Sequence, residues 1–141
     1  MTLLVAIVIS IFYCCSVLLL CSTPLSAYVV QQNDYVSWNL DRISHEELSD
    51  PDYYSYVYPA TNTENVSVYI LDSGINDHHR EFDGRVHFLH SYVRDDQSPT
   101  DKSGHGTAMA SVIGGSLTGI AKQVRIYSIK IASQDGYSNS R

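Results

Sequence analysis

Residues 66–74, Val-Ser-Val-Tyr-Ile-Leu-Asp-Ser-Gly, decide the fold of this chain. The run is short, mostly apolar and rich in β-branched residues until it reaches Asp72, and Ser73 and Gly74 then supply a turn. An apolar run of this length, closed by turn residues, predicts a buried β-strand. Asp72 is thereby placed at the carboxyl end of that strand.

The elements that follow this strand predict a parallel sheet. Residues 86–92 and 124–131 form two further strand-like runs, and residues 94–104 are a polar loop. The small and apolar residues 105–113 predict a tightly packed helix, which two glycines end. Strand, loop, helix and strand in this order predict a right-handed crossover and an α/β fold.

The segment before the first strand, residues 28–65, is polar and rich in tyrosine. We expect mostly loop here, with one short helix whose apolar side consists of Tyr35, Trp38 and Ile43. The tyrosines at alternate positions between 54 and 58 favour an edge strand instead. The sequence leaves both interpretations open.

The first 27 residues have the composition of a signal peptide. Residues 3–21 are uncharged and mostly apolar, and small residues follow at the position where signal peptidase cuts. The apolar run approaches the length of about 20 residues that spans a bilayer, so a membrane anchor is the alternative. We therefore expect a secreted, extracellular protein, or else one anchored to a membrane in the secretory pathway. All three cysteines lie in this segment, so residues 28–141 have no disulfide framework.

The net charge of the chain limits the classes of partner that it can bind. The formal net charge is −6 at pH 7, which argues against a nucleic-acid partner because such faces are rich in Lys and Arg. Asp95, Asp96 and Asp101 lie in one polar loop and leave calcium binding open, although a solvated charge run is the simpler interpretation. No other cofactor is expected.

Asp72 and His105 are the candidate catalytic residues. Ligands of parallel sheets collect beyond the carboxyl ends of the strands, where Asp72 lies. Gly104 and Gly106 remove side-chain bulk on both sides of His105, so a carboxylate and a substrate can approach the ring. The positive end of a helix dipole favours the neutral imidazole, and an ionised aspartate fixes its tautomer. This combination suits a general base.

Both residues stand in motifs that resemble those of the subtilisin-like (S8) serine peptidases, in the branch of proteinase K. Residues 68–75, VYILDSGI, are similar to the aspartate motif of that family, and residues 101–107, DKSGHGT, are similar to its histidine motif. The likeness continues over residues 38–44, 79–86 and 119–122. The order of aspartate before histidine is also that of the subtilisins.

The resemblance implies both a fold and an activity. Residues 28–141 would be the N-terminal portion of a peptidase S8 catalytic domain, with a partial doubly wound parallel sheet of the subtilisin-like fold, truncated. Asp72 would orient His105, and His105 would be the general base for a serine that attacks a polypeptide substrate.

The serine of that triad has no candidate in this sequence. Residues 106–110, GTAMA, look like the family's serine motif with alanine in place of the nucleophile, but His105 directly before them marks the histidine motif. Ser103 is too close to His105 along the chain for the required geometry. We therefore expect no peptidase activity from the chain by itself, and a secreted non-catalytic remnant or binding module is the alternative.

Two further patterns concern modification and metal binding. Asn65-Val66-Ser67 is an N-glycosylation sequon just before the first strand. His87 and His90 are spaced so that a regular strand would point them to opposite faces, which is a poor geometry for one metal ion. We therefore predict no metal site.

Overall fold

A computed structural model describes residues 27–32, 36–47, 49–50, 53–60 and 63–134 of the chain. The expected signal peptide, apart from Ala27, lies outside these ranges. Within them, no helix is both long and apolar enough to cross a membrane. The described elements, in chain order, are β1 (Tyr28–Gln32), α1 (Trp38–Ser44), β2 (Ser55–Pro59), β3 (Ser67–Asp72), β4 (Val86–Ser91), α2 (His105–Gly114) and β5 (Arg125–Lys130).

The three predicted strands, one ending at Asp72 and two that follow it, form one parallel sheet in the order β3, β5, β4. Each strand lies within about one residue of its predicted bounds, so the α/β prediction is confirmed. The register pairs Ser67 with Arg125 at one end of β3 and Asp72 with Lys130 at the other. Because all three strands run the same way, Asp72 lies at the carboxyl edge of the sheet.

Helix α2 covers one face of this sheet and contacts β3 and β5. Apolar side chains from the strands, from α2 and from the connections meet there in the main core, which comprises Ile70, Ile75, Phe82, Val86, Ala110, Val124 and Ile126. Along β5, buried residues alternate with half-buried or exposed ones, as this one-sided cover predicts. The core therefore fixes α2 against the strand that ends in Asp72.

The opposite face of the sheet is uncovered within the described part of the chain. Tyr69 and Leu71 of β3 are 57% and 56% exposed, and the ring of Tyr69 stacks on that of Tyr127. His87 and His90 both lie on this face, because a β-bulge between Phe88 and His90 shifts the pairing of β4 with β5. The prediction that these two histidines point to opposite faces is therefore wrong, since a bulge interrupts the alternation of a regular strand.

The N-terminal segment is more ordered than we expected. Strands β1 and β2 pair antiparallel, so the edge-strand interpretation of the tyrosines is correct, and the segment holds two strands besides the predicted helix. Helix α1 exists, but its predicted apolar side does not, because Trp38 and Ile43 are exposed. Its buried residues are Leu40 and Asp41 instead. Tyr35 lies outside the described residues.

A buried carboxylate joins α1 to β2. The side chain of Asp41 accepts hydrogen bonds from the backbone N–H groups of Ser49 (3.1 Å) and Ser55 (3.0 Å). These bonds lower the pKa of Asp41, the largest effect being that of Ser55. Leu40 packs beside it with Val36 and Tyr56 in a second, smaller core.

This N-terminal unit rests on the connection between α2 and β5. The Tyr56 hydroxyl donates to the carbonyl of Ile120 (3.1 Å), and the side-chain amide of Gln31 donates to the carbonyl of Leu117 (3.2 Å). The ammonium group of Lys122 lies 5.4 Å from the centre of the Tyr56 ring, within cation–π distance. Strands β1 and β2 thus contact the segment that leads into β5, at the end of the parallel sheet opposite to Asp72.

Candidate active site

Asp72 and His105, predicted as a pair from two separate motifs, lie side by side. Nδ1 of His105 is 2.8 Å from Oδ1 and 2.9 Å from Oδ2 of the Asp72 carboxylate. Strand β3 supplies the aspartate as its last residue, and α2 supplies the histidine as its first. The two residues are 33 positions apart in sequence, so the sheet and the helix packed on it create the contact.

The environments of the two side chains differ. The Asp72 side chain is 17% exposed, and the backbone N–H of Ser73 donates to its Oδ1 at 2.7 Å. The His105 side chain is 64% exposed. The carboxylate is therefore mostly buried and held by a backbone hydrogen bond, whereas the imidazole faces solvent.

The hydrogen bond to Asp72 determines the tautomer of His105. With the proton on Nδ1 donated to the carboxylate, Nε2 is left as the acceptor on the neutral ring. The same hydrogen bond, together with the negative charge of Asp72, raises the pKa of His105. We expected the helix dipole to favour the neutral ring, but the direct contact with Asp72 outweighs that effect. The arrangement suits a base that accepts a proton at Nε2 and is stabilised as it does so.

Asp101 fixes the loop that presents His105. Its Oδ1 accepts hydrogen bonds from the Ser73 hydroxyl (2.8 Å) and from the backbone N–H of Gly104 (2.8 Å). Its Oδ2 accepts from the backbone N–H (2.8 Å) and the hydroxyl (2.6 Å) of Thr107, within the first turn of α2. Burial alone would raise the pKa of Asp101, but the hydrogen bonds from Thr107 and Ser73 lower it overall. Asp101 therefore stays ionised and ties the start of α2 to the end of β3.

Sequence reasoning did not identify this role for Asp101, which we considered as the first residue of the histidine motif and as part of a charged loop. The available signal was its position four residues before His105, with a threonine two residues after the histidine. Carboxylates just before a helix commonly bond to the free N–H groups of its first turn. A search for capping residues around the histidine motif would have found it.

Gly104 and Gly106, on either side of His105, meet different structural requirements. A Cβ on Gly106 would overlap the carbonyl oxygen of Gly74 and lie 3.2 Å from Oδ1 of Asp72, so close approach requires glycine there. A Cβ on Gly104 would have no protein atom within 4 Å, so packing against the rest of the chain does not require glycine there. Gly104 instead adopts φ = +83°, a left-handed conformation that favours glycine.

A buried ion pair anchors the loop between β4 and α2. The Nζ atom of Lys130, whose side chain is nearly inaccessible, lies 2.8 Å from Oδ2 of Asp96 and 2.7 Å from the carbonyl of Thr100. Lys102 contacts the same carboxylate at 3.0 Å. The hydrogen bonds from Lys130 and then Lys102 hold the pKa of Asp96 well below its usual range. The carboxylates of Asp96 and Asp101 are thus engaged by protein donors.

A cavity adjoins the exposed side of the Asp72–His105 pair. Its volume is about 390 Å³. The walls come from the ends of β3 and β5 and from the start of α2, with Leu71, Asp72, Ser73, Ser103, His105, Ile131, Ala132 and Ser133 as the lining residues. In the described ranges, no serine hydroxyl is hydrogen-bonded to Nε2 of His105. The cavity thus gives an outside group access to the imidazole.

The other predicted sites lie away from this cavity. Asn65 is exposed in a turn before β3, at the opposite end of that strand from Asp72. His87 and His90 form ring contacts with Tyr127 and Tyr92 respectively. Among the described residues, no group of three or more His, Cys, Asp or Glu side chains is arranged to hold a metal ion.

An aspartate bonded to Nδ1 of a histidine whose Nε2 stays accessible has the geometry of the Asp–His part of a Ser-His-Asp triad. Comparison with known proteins gives the particular class. The sequence profile of the subtilase family (Peptidase_S8) matches residues 63–141. The chain therefore belongs to the subtilase family, and the resemblance noted from the motifs is confirmed.

Individual relatives agree with this assignment. The chain is 37% identical over 100 residues to the subtilisin-like proteinase Spm1 of Pyricularia oryzae, and 38% identical over 99 residues to alkaline serine exoprotease A of Vibrio alginolyticus. Each match covers 70% of this chain and 18% of the relative. The structure resembles that of a cold adapted subtilisin-like serine proteinase, with a TM-score of 0.65 and 34% identity. That match covers 75% of this chain and 38% of the other, and confirms a partial subtilisin-like α/β fold.

Proposed function

We propose that Asp72 and His105 are the acid–base pair of a subtilisin-like serine endopeptidase. Residues 28–141 would be the N-terminal portion of its catalytic domain, and its substrates would be polypeptides. The observation that best supports this proposal is the 2.8 Å contact between Nδ1 of His105 and Asp72, made while the ring remains 64% exposed beside a cavity. The proposal concerns a larger unit, because the chain spans 18–28% of the length of the curated relatives it matches.

The geometry assigns a separate task to each group. Nε2 of His105 would take the proton from a serine hydroxyl as that oxygen attacks the scissile carbonyl, and would return it to the leaving amine. Asp72 would keep the proton on Nδ1 and stabilise the imidazolium formed in between. Asp101 acts through His105: by bonding to Ser73 and Thr107 it keeps the helix start at the correct distance from Asp72.

The described residues provide the base and not the nucleophile. No serine hydroxyl among them is hydrogen-bonded to Nε2 of His105, although Ser103 and Ser133 line the cavity. A triad without its serine lacks the group that forms the acyl intermediate. We therefore infer that the 141-residue chain by itself hydrolyses no peptide bond. A non-catalytic module is the competing hypothesis, in which Asp72 and His105 have no chemical task.

The proposed compartment is the secretory pathway and the extracellular space. The support is the apolar composition of residues 3–21, the small residues that follow them and the family to which the chain belongs. Cleavage near Ala27 would release the protein, whereas an uncleaved segment would anchor it. The N-terminal sequence of the protein recovered from the medium separates these two outcomes.

A chimaeric peptidase tests the catalytic proposal. Residues 63–134 would replace the matching segment of alkaline serine exoprotease A, which then supplies the rest of the domain. We expect peptide hydrolysis by the chimaera and a loss of about 10⁴-fold or more in kcat with Asp72→Asn or His105→Ala, as subtilisin shows for its own pair. Asp95→Asn, at an exposed carboxylate outside the site, is the matched control and should retain activity.

Two results would overturn the proposal. One is a chimaera that folds, as judged by circular dichroism, yet hydrolyses no peptide. The other is a chimaera whose activity is unchanged by His105→Ala. A fluorophosphonate probe applied to the 141-residue chain tests the inferred lack of a nucleophile separately, since labelling at any serine would contradict that part of the proposal.

A further inference from the structure

The sequon noted before the first strand occupies a suitable place for modification. Asn65 lies in a turn that the backbone hydrogen bond from Val66 N–H to the carbonyl of Thr63 closes at 2.9 Å. Asn65, Val66 and Ser67 are all exposed, and Ser67 is the first residue of β3. Both side chains that a sequon requires, the amide and the hydroxyl, are therefore at the surface of the folded chain.

We propose that Asn65 is an N-glycosylation site. In the transfer, Nδ2 of Asn65 attacks the anomeric carbon of a lipid-linked oligosaccharyl diphosphate in the lumen of the secretory pathway. The new bond is C–N, and the bond that breaks joins the anomeric carbon to the diphosphate oxygen. The lipid diphosphate leaves with the electron pair, and Nδ2 loses one proton. The proposal rests on the export of the chain and not on its catalytic role.

The position of Asn65 keeps an attached glycan away from the catalytic pair. Asn65 precedes β3 and Asp72 ends it, so the two residues lie at opposite ends of the strand. At about 3.3 Å per residue, an extended chain places them about 20–25 Å apart. Strand β3 is also an edge of the described sheet, so its start is not covered by a neighbouring strand on that side. A glycan at Asn65 therefore projects from the base of the sheet and leaves the cavity beside His105 open.

Expression of the full chain in cultured eukaryotic cells tests the proposal. We expect a fraction of the wild-type protein to move faster in gel electrophoresis after treatment with peptide N-glycosidase F. The same treatment should convert Asn65 to aspartate in the peptide that contains it, as mass spectrometry detects. Asn65→Gln and Ser67→Ala should both abolish the shift. Ser67→Thr, which preserves the sequon hydroxyl, is the matched control and should retain it.

Every other outcome contradicts the proposal in an identifiable way. Wild-type protein in the medium without a glycan would overturn the site while leaving export intact. A mobility shift that persists in Asn65→Gln would assign the modification to another residue. Full-length protein found only in the cytosol would overturn the export on which the proposal rests. Because the chain has a single Asn-x-Ser/Thr sequon, no second acceptor obscures these results.

Discussion

Replacement of Asp101 by alanine is the most informative perturbation of this structure. The Asp101 carboxylate accepts five hydrogen bonds, from the hydroxyls of Ser73 and Thr107 and from the backbone N–H groups of Ser103, Gly104 and Thr107. Asp101→Ala removes all five acceptor contacts and leaves the rest of the loop sequence unchanged. The start of α2 should then separate more readily from the end of β3.

The size of the effect follows from these contacts. A hydrogen bond to a charged group contributes about 1.5–3 kcal/mol, and loss of a capping side chain costs about 0.5–2 kcal/mol. The exposed donors at Ser103 and Gly104 regain water in the variant, so most of the loss arises at Thr107 and at the buried Ser73. We therefore expect the free energy of local opening at the first turn of α2 to fall by about 2–3 kcal/mol. That change corresponds to amide exchange about 30- to 150-fold faster.

Amide hydrogen exchange measured by NMR reports this opening residue by residue. The amide of Thr107 should lose protection, whereas that of Ile126, bonded to the Arg85 carbonyl in the main sheet, should change little. Asp95→Ala, at an exposed carboxylate of the same loop, is the matched control and should leave both amides unchanged. An increase of less than about threefold at Thr107 in Asp101→Ala would refute the idea that this carboxylate fixes the helix start.

Three further predictions test the site and the sheet. Asp72→Asn should lower the pKa of His105 because the hydrogen bond from Nδ1 to the carboxylate raises it; an NMR titration that gives equal values in both proteins would contradict this. Because the pKa of His105 is raised in the folded state, its contribution to stability is complete below the unfolded-state pKa. That contribution is lost as the pH rises through the folded-state pKa. Asp72→Asn should therefore remove this dependence of stability on pH. Gly106→Ala should destabilise the protein by about 1–3 kcal/mol through overlap with the Gly74 carbonyl, although glycine-to-alanine changes usually favour a helix; a higher melting temperature would show the contact to be soft. Residues 28–141 alone should self-associate through the face of the parallel sheet that exposes Tyr69 and Leu71. Leu71→Lys should reduce that association, measured as a decrease in light scattering. Cooperative thermal unfolding of a monomer would refute this prediction.

The sequence predicted the parallel sheet and singled out Asp72 and His105 for local reasons. The apolar run that ends in Asp72 is readable as a strand without any partner, but the structure buries only Ile70 of β3, so the prediction of a buried strand is wrong for the described part of the chain. His105 was identified by the glycines beside it and by its place at the start of a helical stretch. The contact between the two side chains was an inference from topology, and the structure brings them within 2.9 Å.

The features that the sequence did not predict depend on partners distant along the chain. The alternating tyrosines indicated strand β2, but its antiparallel pairing with β1 was not predictable, because a long stretch that contains helix α1 separates the two strands in sequence. The burial of Asp41 depends on donors from Ser49 and Ser55, which no local pattern reveals. The bulge in β4 is likewise defined only by its register with β5. Non-local pairing of this kind overrides local propensity.

The overlap that a side chain on Gly106 would cause with the Gly74 carbonyl limits which substitutions can alter the distance between Asp72 and His105. Two main-chain segments abut there, so peptide geometry sets the shortest possible separation of Asp72 and His105, while the core and the Asp101 hydrogen bonds hold the two segments together. Substitutions such as Ile126→Val should make the interior looser without lengthening the Asp72–His105 hydrogen bond. We therefore expect that the interior can vary in sequence while the spacing of Asp72 and His105 stays constant.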